Sequence, residues 1–388
     1  MSELRFGIIG CGVQGSLYAA VLSGTAIPGM PPVRRPEGCV LTAVSSRREE
    51  AMAPIKAMNP TVHCFTDWRE LVQSDVCDAV IITVPHYQHH TIAMAALEAG
   101  KHVLCEKPAG VRASDAARIV SCAEAHPDLT AAMMLNQRCN PVFRQVKAWL
   151  DSGELGQLRR SNWIINSWWR PDSYYRSSPW RGTWAGEGGG VLVNQLPHQL
   201  DLWQWLCGKP KTVWAKCVEG AYRSIEVEND VTIVTTYETG ATGTLVSCTH
   251  DPLGTNRLEI DCSKGKIVVE NGVAATLWRF KQDETVWNET ISFREMTGLQ
   301  MTRPEALYEE ETFMDRGTFG SEYVGIFENF AAHVQTGIPL IATAADGLAA
   351  VQLANAAQLS GWIGAEVTFP CDTAQYDQCL REKVQTQL

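Results

Sequence analysis

The sequence predicts an α/β protein of two domains, a doubly wound parallel sheet followed by an α+β domain with a mainly antiparallel sheet. Residues 1–138 alternate short apolar runs with helical patterns, which is typical of parallel strands covered by helices on both faces. Residues 139–388 instead place several strand-like runs directly after one another. The length of 388 residues also suits two domains.

Five apolar runs predict the strands of the first domain, at 5–10, 39–46, 78–85, 101–108 and 130–137. A helical pattern follows each run, and the first helix is predicted from Val13 to about Leu22. Residues 25–39 are rich in proline and glycine, so they predict a long loop before the second strand.

The second domain shows three strand-like stretches, at 212–220, 230–250 and 257–272, of which the last two contain hairpin-turn signals. Helical patterns are found at 190–206, 319–335 and 344–361, whereas 280–318 shows no clear period. We expect the C-terminal helices to pack back on the first domain.

Composition excludes several function classes. The net charge of −10 argues against a nucleic-acid partner. No apolar stretch of about 18 residues predicts a membrane span, and no signal peptide precedes the first strand. The 13 cysteines form no CxxC pair, so we expect reduced thiols and no metal site. The expected location is the cytoplasm.

The stretch GIIGCGVQGSLYAAVL, which begins at Gly7, predicts a dinucleotide-binding loop between a strand and a helix. Gly10 would allow the tight turn, Gly12 would let the backbone approach a pyrophosphate, and Gly15 would let helix and strand pack closely. Val13 and Gln14 lie at the helix N-terminus, where free N–H groups favour an anion.

The end of the second strand favours NADP(H) over NAD(H). NAD sites usually place a carboxylate there for the ribose hydroxyl, whereas this chain has Ser45, Ser46, Arg47 and Arg48. Hydroxyl and guanidinium groups would bind a 2′-phosphate. Two alternatives stay open: NAD(H) as cofactor, and arginines that merely begin an exposed helix. The 25–39 loop either covers the adenosine end of the nucleotide or is a surface insertion.

Three further blocks carry a family resemblance: TVPHYQHH (83–90), EAGKHVLCEKPAG (98–110) and GEGGGVLVNQLPHQLDLWQWL (186–206). With the glycine loop, they make the chain resemble the Gfo/Idh/MocA oxidoreductases, named for glucose–fructose oxidoreductase and inositol dehydrogenase. The resemblance implies a Rossmann domain and a second domain with an open-faced sheet through which copies form a dimer or tetramer. It also implies hydride transfer to or from a sugar or cyclitol carbon.

The resemblance further implies the site residues. His198 would be the general base, Lys107 would stabilise the developing alkoxide, and Asn194 stands where many members have Asp and would orient the substrate. Asp201, three residues beyond His198, is expected on the helix surface, and an orienting role in the site is the alternative. Further cofactor contacts are implied for Thr83, Pro85, His86 in place of the usual Asn, His89, Glu106, Lys107 and Gln137.

Seven of the 13 tryptophans fall between Trp163 and Trp205. Aromatic faces pack on sugar rings, and arginine or tyrosine reaches hydroxyls or a carboxylate, so this region predicts a substrate wall. An interface or a core cluster is the alternative. The candidate substrate-binding residues are Tyr174, Tyr175, Arg176, Trp180, Arg181 and Trp184, together with Asn194 and His198.

The sequence thus predicts an NAD(P)-dependent sugar or cyclitol dehydrogenase or ketoreductase. Two alternatives remain: a glycoside-processing enzyme whose tightly bound NAD cycles through a keto-sugar, and a non-catalytic dinucleotide-binding sensor.

Overall fold

The computed structural model describes residues 2–25, 31, 33–302 and 304–386. Its first sheet has six parallel strands in the order β3-β2-β1-β4-β5-β6. The strands are β1 (Leu4–Ile9), β2 (Cys39–Ser45), β3 (His63–Phe65), β4 (Ala79–Ile82), β5 (His102–Cys105) and β6 (Ala131–Met133). The five predicted strands are confirmed. The sequence pattern missed β3 because three residues are too few to show a period.

In the described residues, five helices accompany this sheet: α1 (Val13–Ser23), α2 (Glu49–Met58), α3 (Trp68–Gln73), α4 (His89–Glu98) and α5 (Ala113–Ala125). The next helix, α6 (Pro141–Asp151), packs in the core of the second domain. The strand order reverses direction between β1 and β4, and ligands of doubly wound sheets bind in the crevice at such a point. Part of the predicted 25–39 loop lies outside the described residues.

The second sheet has nine strands in the order β14-β13-β12-β11-β7-β10-β9-β8-β15. They are β7 (Leu158–Ile165), β8 (Thr212–Glu219), β9 (Glu228–Thr236), β10 (Thr242–Cys248), β11 (Asn256–Cys262), β12 (Gly265–Glu270), β13 (Ala274–Phe280), β14 (Tyr308–Met314) and β15 (Val367–Thr368). Every neighbouring pair is antiparallel except the parallel pair of β7 and β10. The predicted mainly antiparallel sheet is therefore confirmed.

The remaining helices of the described residues are α7 (Asp172–Tyr175), α8 (Pro197–Cys207), α9 (Glu284–Thr290), α10 (Phe293–Thr302), α11 (Ser321–Thr336), α12 (Ala344–Ile363) and α13 (Thr373–Gln385). Of these, α8 and α12 join α6 in covering one face of the second sheet. On β7, Trp163 and Ile165 are buried in the core while Ile164 is exposed, as expected when one face is covered. The indole of Trp203 on α8 donates to Ser161 Oγ (2.9 Å), which ties that helix to the sheet.

Helix α11 packs on the first sheet. Phe327 and Phe330 place their rings 5.9 Å from Phe6 on β1, and Phe327 also meets Tyr18 of α1. Residues 280–318, which gave no period, form α9, α10 and the edge strand β14, and most of them are exposed. An exposed segment has no core face to impose a period, which explains the weak signal.

A buried cation joins the two domains. Arg138 lies just after β6 and donates to both carboxylate oxygens of Asp201 (2.9 and 2.7 Å) and to Asp346 (2.9 Å). The expectation that Asp201 lies on the helix surface is wrong, because its side chain is 3% exposed and neutralises Arg138. Burial, the largest effect, raises the pKa of Asp201 to about 6 even beside this guanidinium.

Arg138→Met should lower the free energy of unfolding at pH 7.5 by about 3–5 kcal/mol, because it leaves two carboxylates without their buried partner. The loss should shrink at pH 5. Asp201 has a raised pKa in the folded state, so protonation on acidification favours the folded chain and removes the unpaired charge. Urea unfolding at both pH values measures this effect. The control Lys211→Met breaks an exposed pair with Glu238 and should cost about 0.5 kcal/mol or less. Equal losses in the two variants would contradict the account.

Candidate functional site

A cleft of about 1070 Å³ opens at the carboxyl ends of the first sheet, where the strand order reverses. It extends from α3 to the turn before α8 and so takes walls from both domains. Its lining includes Gly10, Gly12, Val13, Gln14, Ser45, Ser46, Arg47, Arg48, Asp67, Trp68, Arg69, Thr83, Pro85, His86, His89, Glu106, Lys107, Ser178, Trp180, Arg181 and Asn194.

The three glycines have distinct physical roles. Gly10 has φ of +105°, which side chains rarely adopt. A Cβ on Gly15 would lie 1.9 Å from the Gly10 carbonyl oxygen, so helix and strand could not approach as they do. A Cβ on Gly12 would meet nothing within 4 Å. The absence of a side chain at Gly12 therefore leaves open space beside the loop. The fold itself does not require this space, whereas a bound pyrophosphate would.

The N-terminus of α1 faces this space. Its cap residue, Gly12, supplies no side-chain hydrogen bond, and the first turn contains no acidic residue. The first N–H groups of a helix without such a cap are available to an anion, and the helix dipole adds to the attraction. The loop thus fits the diphosphate of a dinucleotide.

Basic side chains gather at the far end of the cleft, around the end of β2. Arg47 and Arg48 follow β2, and Arg69 enters from α3. Asp67 also lies here, but its carboxylate caps α3 by accepting from the Arg69 N–H (2.9 Å) and pairs with the Arg69 guanidinium (3.2 Å). Sequence reasoning missed residues 66–69 because they follow the unpredicted strand β3.

Two histidines shape the wall after β4. His86 Nδ1 donates to the Glu187 carbonyl (3.1 Å), and burial, with the neighbouring His89 and Lys107, lowers its pKa to about 3. The ring nitrogens of His89 each lie 2.7 Å from a carbonyl oxygen, those of Val84 and Pro108. His89 thereby links the loop after β4 to the loop after β5.

Lys107 lies at the floor of the cleft, after β5. Its ammonium donates to the carbonyl oxygen of Asn194 (2.8 Å) in the second domain. Behind it the buried Glu106 accepts from the Lys107 N–H (2.7 Å) and from the Tyr18 hydroxyl. Burial lowers the pKa of Lys107, and the charges of Glu106 and Glu187 oppose that shift.

Asn194 belongs to a single π-helical turn (Val191–Gln195) that precedes α8. Its amide nitrogen donates to the Tyr174 hydroxyl (3.1 Å) and to the Glu187 carboxylate. His198 lies in the first turn of α8, so the two residues occupy separate helical segments rather than one regular turn.

His198 is held neutral next to the cleft floor, although it does not itself line the cleft. Burial is the larger cause and the Lys107 charge the smaller, and together they lower its pKa to about 3. Its Nδ1 is buried and has no hydrogen-bond partner among the described residues. A neutral imidazole with an unused nitrogen can accept a proton.

The aromatic segment contributes part of one wall. Trp180 lies edge-on to His86 with ring centroids 5.5 Å apart. The Arg181 guanidinium lies over both Trp180 (4.5 Å) and Tyr174 (4.3 Å) and donates to the Tyr174 hydroxyl (2.5 Å). Trp180 and Arg181 face the cleft, and Tyr174 connects them to Asn194.

The structure does not bring every expected residue to the cleft. Trp184 is fully buried and packs on Trp362 (5.5 Å), so it is a core residue and not part of a substrate wall. Arg176 is exposed near Asp172 (3.9 Å). Tyr175 bonds Thr249 (2.9 Å). Gln137 lies in a short 3₁₀ turn, and neither it nor Gly15 lines the cleft.

Two buried carboxylates near the site were missed by sequence reasoning. Glu187 contacts Asn194, and Glu228 accepts from the N–H groups of Gly190 (2.9 Å) and Leu192 (3.2 Å), which fixes the turn carrying Asn194. Burial raises the pKa of Glu228 to about 7. Neither residue belongs to a periodic pattern that could have revealed it.

Within the described ranges, no cluster of three or more His, Cys, Asp or Glu side chains could hold a metal ion. No helix in that part of the chain is long and apolar enough to cross a membrane.

Fold and cleft define a dinucleotide-binding protein of the oxidoreductase type. Residues 4–133 match the model of the oxidoreductase family with an NAD-binding Rossmann fold, and residues 143–268 match the GFO/IDH/MocA C-terminal domain. The chain belongs to the GFO/IDH/MocA family of oxidoreductases.

Named relatives span nearly the whole chain. Inositol 2-dehydrogenase of Rhizobium meliloti (strain 1021) is 25% identical over 361 residues, which cover 91% of this chain and 96% of the relative. Among solved structures, levoglucosan dehydrogenase in complex with NADH and levoglucosan superposes with a TM-score of 0.74 at 18% identity, covering 95% and 100% of the chains. The WlbA dehydrogenase of Bordetella pertussis, in complex with NADH and UDP-GlcNAcA, gives 0.74 at 21% identity with the same coverage.

Gly12→Ala and Gly15→Ala should separate binding from folding. The alanine at 12 enters open space, so stability should hold while the dissociation constant for the dinucleotide rises about tenfold or more. The alanine at 15 collides with backbone, so the free energy of unfolding should fall by about 1–3 kcal/mol or more. Thermal unfolding and dinucleotide titration measure both effects. Undiminished dinucleotide binding by the Gly12 variant would argue against a pyrophosphate in this space.

Proposed function

We propose that the protein is an NADP(H)-dependent dehydrogenase or ketoreductase acting on a secondary alcohol or ketone carbon of a sugar, sugar derivative or cyclitol. One observation carries this proposal: at the floor of a dinucleotide cleft, the Lys107 ammonium bonds the Asn194 carbonyl oxygen, and burial together with the Lys107 charge lowers the pKa of His198. A cation and a neutral base at the same place suit the oxygen of a reacting alcohol. The relatives named as inositol and levoglucosan dehydrogenases support this substrate class.

When bound, the nicotinamide supplies the acceptor for the hydride that leaves the alcohol carbon. Lys107 donates a hydrogen bond to the alcohol oxygen and stabilises the negative charge that grows there. His198 is neutral at pH 7 and its buried Nδ1 has no hydrogen-bond partner among the described residues, so this nitrogen would take the hydroxyl proton while the C=O bond forms. In the reverse direction the protonated imidazole returns that proton to the alkoxide.

His198→Ala should lower kcat by about 100-fold or more, because the hydroxyl proton loses its acceptor. The dissociation constant for the dinucleotide should change little. Turnover is measured by nicotinamide absorbance in a screen of polyols, aldoses and glycosides, each with NAD and with NADP.

The exposed His63, changed to Ala, serves as the control and should behave as wild type. Full activity of the His198 variant would remove the proposed base. Product formed without net change in NADP(H) would instead favour an enzyme that recycles its cofactor, and binding without turnover would favour a sensor.

We infer NADP(H) as the cofactor from the charges at the adenosine end. Arg47, Arg48 and Arg69 converge there. The nearby carboxylate of Asp67 pairs with the Arg69 guanidinium and caps α3 through the same oxygen, so its charge is partly neutralised. A 2′-phosphate would find guanidinium groups beside a carboxylate that is already paired with one of them. NAD(H) is the alternative, since the similar solved structures contain NADH.

Arg47→Ala should lower kcat/KM for NADP about tenfold while changing that for NAD about twofold at most, because only NADP carries the 2′-phosphate. Steady-state kinetics with both cofactors measure the ratio. The control Arg118→Ala removes an exposed arginine of α5 and should leave the ratio unchanged. A wild type that prefers NAD would overturn the assignment.

We also propose that copies of the chain associate through the uncovered face of the second sheet. Ile164, Trp214 and Val218 expose about two fifths of their surfaces there, and apolar groups of this size favour burial. Light scattering should therefore give a dimer or tetramer, and Trp214→Glu should shift the mass toward the monomer. A monomeric wild type would contradict the proposal.

A further inference from the structure

We infer that Glu187 supplies the anionic partner that position 194 lacks, and that it acts through Asn194 as a positioning residue. The inference deepens the proposed function and rests on it, since both concern one site. Position 194 holds a neutral amide, which brings no charge of its own to the site. The structure places the carboxylate of Glu187 in contact with that amide.

The hydrogen bonds give Glu187 a defined orienting effect. The amide nitrogen of Asn194 has two hydrogens, and its two acceptors are Glu187 Oε1 and the Tyr174 hydroxyl. With both hydrogens directed to these acceptors, the Oδ1 atom remains as an acceptor for a substrate hydroxyl. A carboxylate only accepts, so it also prevents the amide from turning over.

The groups around Glu187 indicate that its buried carboxylate has a specific structural role beside Asn194. It is 1% exposed, and its second oxygen accepts from the Gly182 N–H (2.6 Å). Arg181 approaches its first oxygen at 4.0 Å. A buried charge is tolerated when several groups satisfy it, and here hydrogen bonds and cations do so.

The charge of Glu187 also reaches Lys107. Burial lowers the pKa of Lys107, and the charges of Glu106 and Glu187 raise it, while Arg170 and Arg181 lower it further. Lys107 in turn lowers the pKa values of His86 and His198. The charges of Glu187 and Glu106, one from each domain, thus favour the charged, hydrogen-bond-donating form of Lys107.

The test moves the carboxylate from 187 to 194. Glu187→Gln keeps the size of the side chain and removes its charge, and the double variant Glu187→Gln with Asn194→Asp places the one carboxylate at 194. In the full-length protein without cofactor, competitive amine labelling followed by mass spectrometry gives the titration midpoint of Lys107. The matched control is Glu226→Gln, because Glu226 accepts from the Trp184 N–H (3.0 Å) in the same segment without contacting Asn194.

The midpoint of Lys107 should fall by about one pH unit or more in Glu187→Gln and return to within about half a unit of wild type in the double variant. The double variant keeps one carboxylate in the pair, so it tests the idea where Glu187→Gln alone does not fold. Glu226→Gln should match wild type. A midpoint that is unchanged in Glu187→Gln, or that stays low in the double variant, would overturn the inference.

Turnover gives the second readout. With the sugar that wild type uses, Glu187→Gln should lower kcat about 10-fold or more, and the double variant should recover most of that loss, because a charge returns beside the substrate oxygen. If the wild type shows no turnover, the proposed function is contradicted, while the labelling experiment still tests the role of Glu187. If the wild type is active and the Glu187→Gln variant keeps full kcat, only the inference about Glu187 is contradicted.

Discussion

The hydrogen bond from the Lys107 ammonium to the Asn194 carbonyl oxygen is the contact on which the site depends, because it joins the two domains at the cleft floor. Lys107 is placed by the end of β5, and Asn194 by a π turn that Glu228 holds from the second sheet. A cation buried at such a junction needs anions close by. The charges of Glu106 from one domain and Glu187 from the other oppose the effect of burial on the pKa of Lys107, and the charge of Lys107 adds to burial in keeping His198 neutral.

The glycine loop imposes the second constraint, and it is steric. Gly15 is required for α1 to pack on β1, whereas Gly12 leaves space that the fold does not use. The distinction separates what the sequence needs in order to fold from what it needs in order to bind. Together with the free helix N-terminus, it makes one end of the cleft suitable for a diphosphate, which would leave the other end for the reacting carbon.

Much of the fold could be predicted from the sequence because buried parallel strands leave continuous apolar runs. The three-residue strand β3 left no such run, and with it the sequence reasoning lost Asp67 to Arg69. The prediction that Trp184 lines a substrate wall is wrong, because an aromatic-rich segment has the same composition whether it lines a cleft or fills a core. The contact between Glu187 and Asn194 was also hidden. It depends on Gly188 and Gly189 at positive φ, which fold the chain back over seven residues.

A crystal structure of the protein with NADP(H) and a sugar or cyclitol that it turns over would show whether Lys107 and His198 act on the same oxygen. We expect the reacting hydroxyl within about 2.6–3.2 Å of Lys107 Nζ and of a ring nitrogen of His198, with its carbon facing the nicotinamide ring. A substrate that lies away from both side chains, with the dinucleotide bound as expected, would contradict this expectation.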